Sequence, residues 1–193
     1  MKTILLLILL LLNACVARPI VEIKNDNQHK QQNSQIIQSI REHGITGDWL
    51  VTRGYHATDT LVANATSSSI SHVGIYNAET REVIEAEGIG VHRSSLNDFV
   101  NKSYRLLIIR PRWLTSGNSK KAYSNADKLV GKKYDFLGTL GFNSPEKYYC
   151  SELAVSVFKE WHRPVEKFPN VVKPSDLYLY GRVLYDSQPR DEI

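Results

Sequence analysis

The segment "KYYCSELAVSVF" holds Cys150, and the only other cysteine of the 193 residues is Cys15. Read as a helix, "CSELAVSVFKEW" puts Leu153, Ala154, Val157, Phe158 and Trp161 on one apolar face. Cys150 falls on the same side, because these positions follow the i, i+3, i+4, i+7, i+8 spacing of an amphipathic helix. A thiol in the first turn of such a helix meets unpaired N–H groups and the positive end of the helix dipole, and both favour a thiolate. Ser151 and Glu152 suit a first turn, and Arg163-Pro164 ends the element. Position alone divides evenly between a buried structural cysteine and a nucleophile.

A cysteine nucleophile needs a base, and the base needs an orienting group. Among the six histidines, His29 falls in a polar tether and His43 at the end of a short helix. His162 lies about a helix length from Cys150, and His92 follows "GIGV" on an expected edge strand. His72 opens the strand "HVGIY", where His72, Gly74 and Tyr76 share one face. An imidazole at the mouth of a strand, with a glycine two residues on, can project over an open site. A hydrogen-bonded structural histidine is the commoner fate of such a residue. The next strand, "REVIEAE", puts Val83, Glu85 and Glu87 on one face. A symmetric turn at Glu79-Thr80 sets Gly74 opposite Glu85 and His72 opposite Glu87. Either carboxylate could orient the imidazole, and a solvated strand face explains the same residues. Spacing leaves these alternatives open.

Other chemistries find less support. There is no HExxH and no CxxC, so no metal-ligand spacing, and no Gly-rich phosphate loop. Ser69 and Ser71 lack a G-x-S-x-G elbow. The expectation is a site with no metal and no cofactor.

These residues need elements to hold them. "SQIIQSIREHG" predicts a short helix with Ile36, Ile37 and Ile40 on one face. "GDWLVTRG" predicts a strand, and residues 55–70 a short helix with a Ser-rich loop. "SHVGIYN", "REVIEAE" and "GVHRSS" predict three tightly connected strands, followed by a short helix at "SLNDFV" and a strand at "YRLLIIRPRW". "SGNSKKAYSNADKLVGKKY" predicts a helix with Ala122, Ala126, Leu129 and Val130 inward and Gly131 at its end. "KPSDLYLYG" and "RVLYD" predict a turn or short helix and a last strand. The fold class is α+β.

The composition is that of an ordinary globular domain, with 42% hydrophobic and 23% charged residues. The net charge of +4 is modest and its basic residues do not run together, which argues against nucleic-acid binding. The N-terminus "MKTILLLILLLLNACVARP" has one basic residue, an apolar run too short to span a bilayer, and then small and polar residues, as a secretory leader does. Its "LNAC" resembles the lipobox of bacterial lipoproteins, which implies lipidation at Cys15 and attachment to the periplasmic face of the outer membrane. An ordinary cleaved signal is the alternative. The expected organisation is a leader at 1–14, a flexible polar tether at 15–34 and one domain at 35–193. With Cys15 lipidated, Cys150 has no disulfide partner.

The ordered set "GDWLVTRG", "SHVGIYN", "EVIEAEG", "GKKYDF" and "YYCSELAVSVF" resembles the circularly permuted papain-like hydrolases of the NlpC superfamily, nearest the YaeF/YiiX amidase-like group. In the non-permuted peptidases the cysteine helix precedes the histidine strand, and here the order is reversed. The resemblance covers roughly residues 46–160. It implies a permuted papain-like fold, with a central antiparallel sheet packed with helices and the nucleophile at a helix N-terminus. It also implies Cys150 as nucleophile, His72 as general base and Glu85 as the third member, with Glu87 the second choice. Tyr149 would line the site or help stabilise the oxyanion, and Tyr134-Asp135-Phe136 would be structural, as would Asp48. The implied activity is amide hydrolysis through an acyl-enzyme, on a peptidoglycan peptide or on a lipid or acyl-amide. A membrane-anchored binding module that keeps the fold without turnover is the competing expectation.

Overall fold

The computed structural model describes residue 23 and residues 27–189. The expected leader, most of the tether and Cys15 lie outside the described residues. Helix α1 (Asn27–His43) begins before the expected domain start, so residues 27–34 are helical rather than tether. The cause is tertiary. Gln and Lys are good helix formers, and His29 buries its ring against Tyr55, 3.2 Å from Asn101 Oδ1. Polar composition did not reveal that docking.

The chain continues through β1 (Trp49–Gly54), α2 (Ala57–Thr66), β2 (His72–Asn77), β3 (Glu82–Glu87), β4 (Gly90–Ser95), α3 (Leu96–Asn101) and β5 (Ser103–Pro111). Helix α4 (Ser119–Asp127), the two-residue strands β6 (Lys133–Tyr134) and β7 (Lys147–Tyr148), α5 (Cys150–Ser156) and β8 (Gly181–Asp186) follow. Six strands form one antiparallel sheet in the order β4-β3-β2-β1-β5-β8. Helices cover both faces, which makes the expected α+β architecture.

Burial on both sides explains the apolar run Trp49–Val51 that opens β1. Trp49 and Val51 point into a core with Val73, Ile75, Ile84, Leu107, Ile109 and the α5 residues Leu153 and Ala154. Leu50 points the other way, into a second core with Tyr76, Val83, Leu106 and Ile108 under α1 and α3. Trp49 Nε1 donates to Ala154 O at 3.0 Å, which ties the central strand to α5. Burying such side chains contributes about 1.5–3 kcal/mol each.

Strands β2 and β3 pair as the symmetric turn predicts, from Gly74 opposite Glu85 to Asn77 opposite Glu82. Asn77 Oδ1 accepts from Glu79 N and Thr80 N and closes the turn. A Cβ on Gly74 would stand 2.2 Å from Val83 Cγ1 and 2.9 Å from Phe99 Cε2, so only glycine lets α3 approach β2 this closely. Helix α4 is shorter than expected. Leu129 and Val130 follow in turns and still pack on the core, and Gly131 takes φ +91°. Helix α5 also stops early, and the chain reaches Trp161 through a 3-10 turn.

Candidate active site

Cys150 is the first residue of α5 and is buried. The helix start is pinned at several points. Tyr149 O accepts from Leu153 N at 2.9 Å, and Tyr149 N donates to Glu152 Oε2 at 3.4 Å. Ser151 Oγ donates to Val172 O at 2.7 Å, and Val172 N donates to the Tyr149 hydroxyl at 3.0 Å. The segment before the last 3-10 turn is thereby sewn to the nucleophile's helix.

His72 Nε2 lies 2.7 Å from Glu85 Oε2, and the imidazole is also within hydrogen-bonding reach of the Cys150 thiol. With Nε2 taken by Glu85, Nδ1 is the nitrogen left for sulfur. By strand alternation His72 belongs to the face covered by α3, where its ring neighbours Phe99. Cys150 belongs to the core on the opposite face. The two meet because His72 is the first residue of β2, at the end of the strand.

Burial alone would lower the His72 pKa. The hydrogen bonds and charges of Cys150 and Glu85 outweigh it and hold His72 well above the usual histidine range. Glu85 is fully buried. Burial pushes its carboxyl up, but His72 and the Lys102 ammonium bring it below the usual range. Lys102, just past the end of α3, puts Nζ 2.8 Å from both Glu85 oxygens and 2.7 Å from Glu87 Oε1. Ser94 Oγ donates to Glu85 Oε1. Glu87 lies 3.9 Å from His72 Nε2 and 3.4 Å from His92 Nε2. Of the two carboxylates that spacing allowed, Glu85 makes the close contact with His72, and Glu87 is held mainly by Lys102 and His92.

Cys150, His72 and Tyr149 line a cleft of about 670 Å³. Apolar side chains, among them Leu61, Val62, Ile89, Phe136, Leu140 and Val171, form much of its wall. The Tyr149 phenol, pushed up to about 12 mainly by burial, stays protonated. Glu152, beside the nucleophile, is pushed up to about 7, again mainly by burial. Asp135 is buried and accepts from Gly138 N and Ser144 N, which makes it a loop anchor. Asp48 likewise accepts from Ile45 N and the Arg110 guanidinium.

Residues 46–177 match the family described as permuted papain-like amidase enzyme, YaeF/YiiX, C92 family. The chain belongs to this family. A solved structure described as metalloprotein yiiX from Escherichia coli O157:H7 is similar, with a TM-score of 0.52 and 25% identity over 60% of this chain and 65% of that one. The comparison with curated proteins gives no match.

That description raises the question of a metal. Among the described residues, His72, Glu85 and Glu87 bring donor atoms within 4.8 Å of one another. They do not fit a cation here. Lys102 Nζ already contacts three of the carboxylate oxygens, and His72 Nε2 is engaged with Glu85. A divalent ion in that position would face an ammonium.

Sequence reasoning reached Cys150, His72, both glutamates and Tyr149, but not Lys102, Ser94 or the apolar wall. Lys102 sits in a loop-like "NKS" with no periodic signal, and strand alternation, which put Glu85 and Glu87 on one face, says nothing of what lies above them. His92, set aside as an edge-strand residue, is on the edge strand β4 and still reaches Glu87.

Proposed function

We propose that the protein is an exported, Cys15-anchored cysteine amidase that acts on acyl-amides at the periplasmic face of the outer membrane. The observation that carries the reading is the His72 imidazole, held between the Cys150 thiol and the Glu85 carboxylate beside an apolar cleft. His72 takes the thiol proton, and the resulting Sγ thiolate attacks the amide carbonyl. Unpaired N–H groups in the first turn of α5 would receive the oxyanion. As the C–N bond breaks, His72 returns the proton to the leaving amine, which leaves a thioester on Cys150. Water, deprotonated by His72, then releases the carboxylic acid and restores the thiol. Glu85 keeps the ring oriented and supports the imidazolium throughout.

The apolar wall favours an acyl chain over a charged peptide stem, because most of the lining surface is apolar and would strip water from the stem's carboxylates and amines. Mass spectrometry of N-acyl amides and of muropeptides incubated in parallel tests both parts. Fatty acid released by the wild type and not by Cys150→Ala supports the proposal. Full turnover by Cys150→Ala would end the thiol mechanism, and cleavage confined to muropeptides would end the acyl-amide assignment. Lipidation at Cys15 is read from the mass of the N-terminal fragment.

A further inference from the structure

We propose that the loop 136–142, together with Leu61 and Ile89, is a docking rim that seats the mouth of the cleft on an anionic lipid bilayer. Phe136, Leu137, Leu140 and Phe142 are 60–72% exposed, and Leu61 and Ile89 are 69% and 83% exposed. Four of the six, Phe136, Leu140, Leu61 and Ile89, line the cleft that holds Cys150, so the exposed patch is continuous with the cleft. Large contiguous apolar patches on a protein surface mark interaction sites.

The loop is built to present these side chains. Asp135 accepts from Gly138 N at 2.9 Å and Ser144 N at 2.8 Å, and Phe142 N donates to Leu137 O at 3.0 Å. Asn170 Nδ2 donates to Gly141 O at 2.8 Å, and Asn143 Nδ2 donates to Asn170 O at 2.9 Å. Polar groups therefore hold the backbone from within while the apolar groups face out. A rim fixed in this way loses little conformational freedom on docking.

Charge selects the occupant. Lys133 and Lys147 are register partners in the β6–β7 ladder, which flanks the loop at both ends. Beside them Lys132 is paired with Glu146, so the flank keeps a net positive charge. Lys173 stands on the wall of the cleft. Apolar side chains bordered by lysines suit the interface of a bilayer with anionic headgroups. The inference goes beyond the amidase reading and does not depend on it.

The test places a reporter on the rim of the full chain with Phe142→Trp. The wild type is the control, because its three tryptophans lie outside the rim residues named here. Phosphatidylcholine vesicles are used with and without phosphatidylglycerol, and with brominated acyl chains. The expected result is a blue-shifted signal from the introduced indole, quenched by bromine and stronger with phosphatidylglycerol. Adding Phe136→Ser, Leu137→Ser and Leu140→Ser should weaken that quenching by about tenfold or more, given the free energy of burying such side chains. Lys133→Glu with Lys147→Glu should weaken it at low salt only. The readout is local, so attachment through the N-terminal segment does not mimic it. Cys150→Ala should dock like its parent, which separates failure of docking from failure of catalysis. A reporter that keeps water-like emission, or quenching indifferent to the serine substitutions in a protein with unchanged circular dichroism, would overturn the proposal.

Discussion

Lys102 Nζ lies 2.8 Å from each oxygen of the Glu85 carboxylate, although the two residues come from a helix end and a sheet strand. The ammonium compensates a fully buried carboxylate and shares its Oε2 with His72. It also draws in Glu87, so one cation holds two acids side by side.

Lys102→Met should therefore leave Glu85 buried without its partner and cost about 3 kcal/mol of stability, read by urea unfolding. In the folded fraction kcat/KM should fall by about tenfold, equivalent to about 1.4 kcal/mol of transition-state support, with KM little changed. Lys102→Arg should recover part of it. The methionine variant should also acquire affinity for zinc by calorimetry, because the donors of His72, Glu85 and Glu87 lose the ammonium that occupies them.

The pH–rate profile follows from His72. Its raised pKa favours the imidazolium formed when it takes the thiol proton, and that imidazolium delivers the proton to the leaving amine. The alkaline limb of kcat/KM should fall well above the usual histidine pKa of 6.5. Glu85→Gln removes one of the contributions that raise it. That limb should move to lower pH, and kcat should fall by about a hundredfold or more. An unmoved limb would show that Glu85 does not govern the ring.

Glu152 titrates near 7 in the folded chain against a usual value of 4.5. The folded state thus keeps a proton that the unfolded chain has lost between those values. The stability contributed is complete below pH 4.5 and is lost as pH rises through about 7. Glu152→Gln should remove this slope, so the variant should gain on the wild type as pH rises. Midpoints of urea unfolding across that range measure it.

Gly74→Ala forces a methyl group onto Val83 and Phe99. It should cost about 1–3 kcal/mol by overpacking and disturb the ring of Phe99 beside His72. Loss of activity at temperatures where the variant stays folded would report the second effect.

Much of the scaffold was legible because period and turn chemistry are local properties. The alternation in "HVGIY" and "VIEAE" made two paired strands legible, and the register of a symmetric turn at Glu79-Thr80, which the sequence did not fix, is the one the structure adopts. Helix starts and ends were harder. Residues 27–34 read as tether because their polar composition hides the burial of His29. Helix α5 read too long because apolar spacing continues through the 3-10 turn to Trp161.

The sequence by itself determined the α+β pattern, the antiparallel hairpin and the short set of residues able to do cysteine chemistry. Tertiary structure alone decided how that set is joined. Cys150 and His72 arise on opposite faces of one sheet and meet at a strand end, and Lys102 arrives from a helix to hold Glu85 anionic. The exposed loop 136–142 reads in sequence as a Gly-bearing connection. Its apolar residues face outward because Asp135 and Asn170 hold its backbone from within. Contacts between residues far apart in sequence depend on how layers pack, and a local period carries no record of that packing.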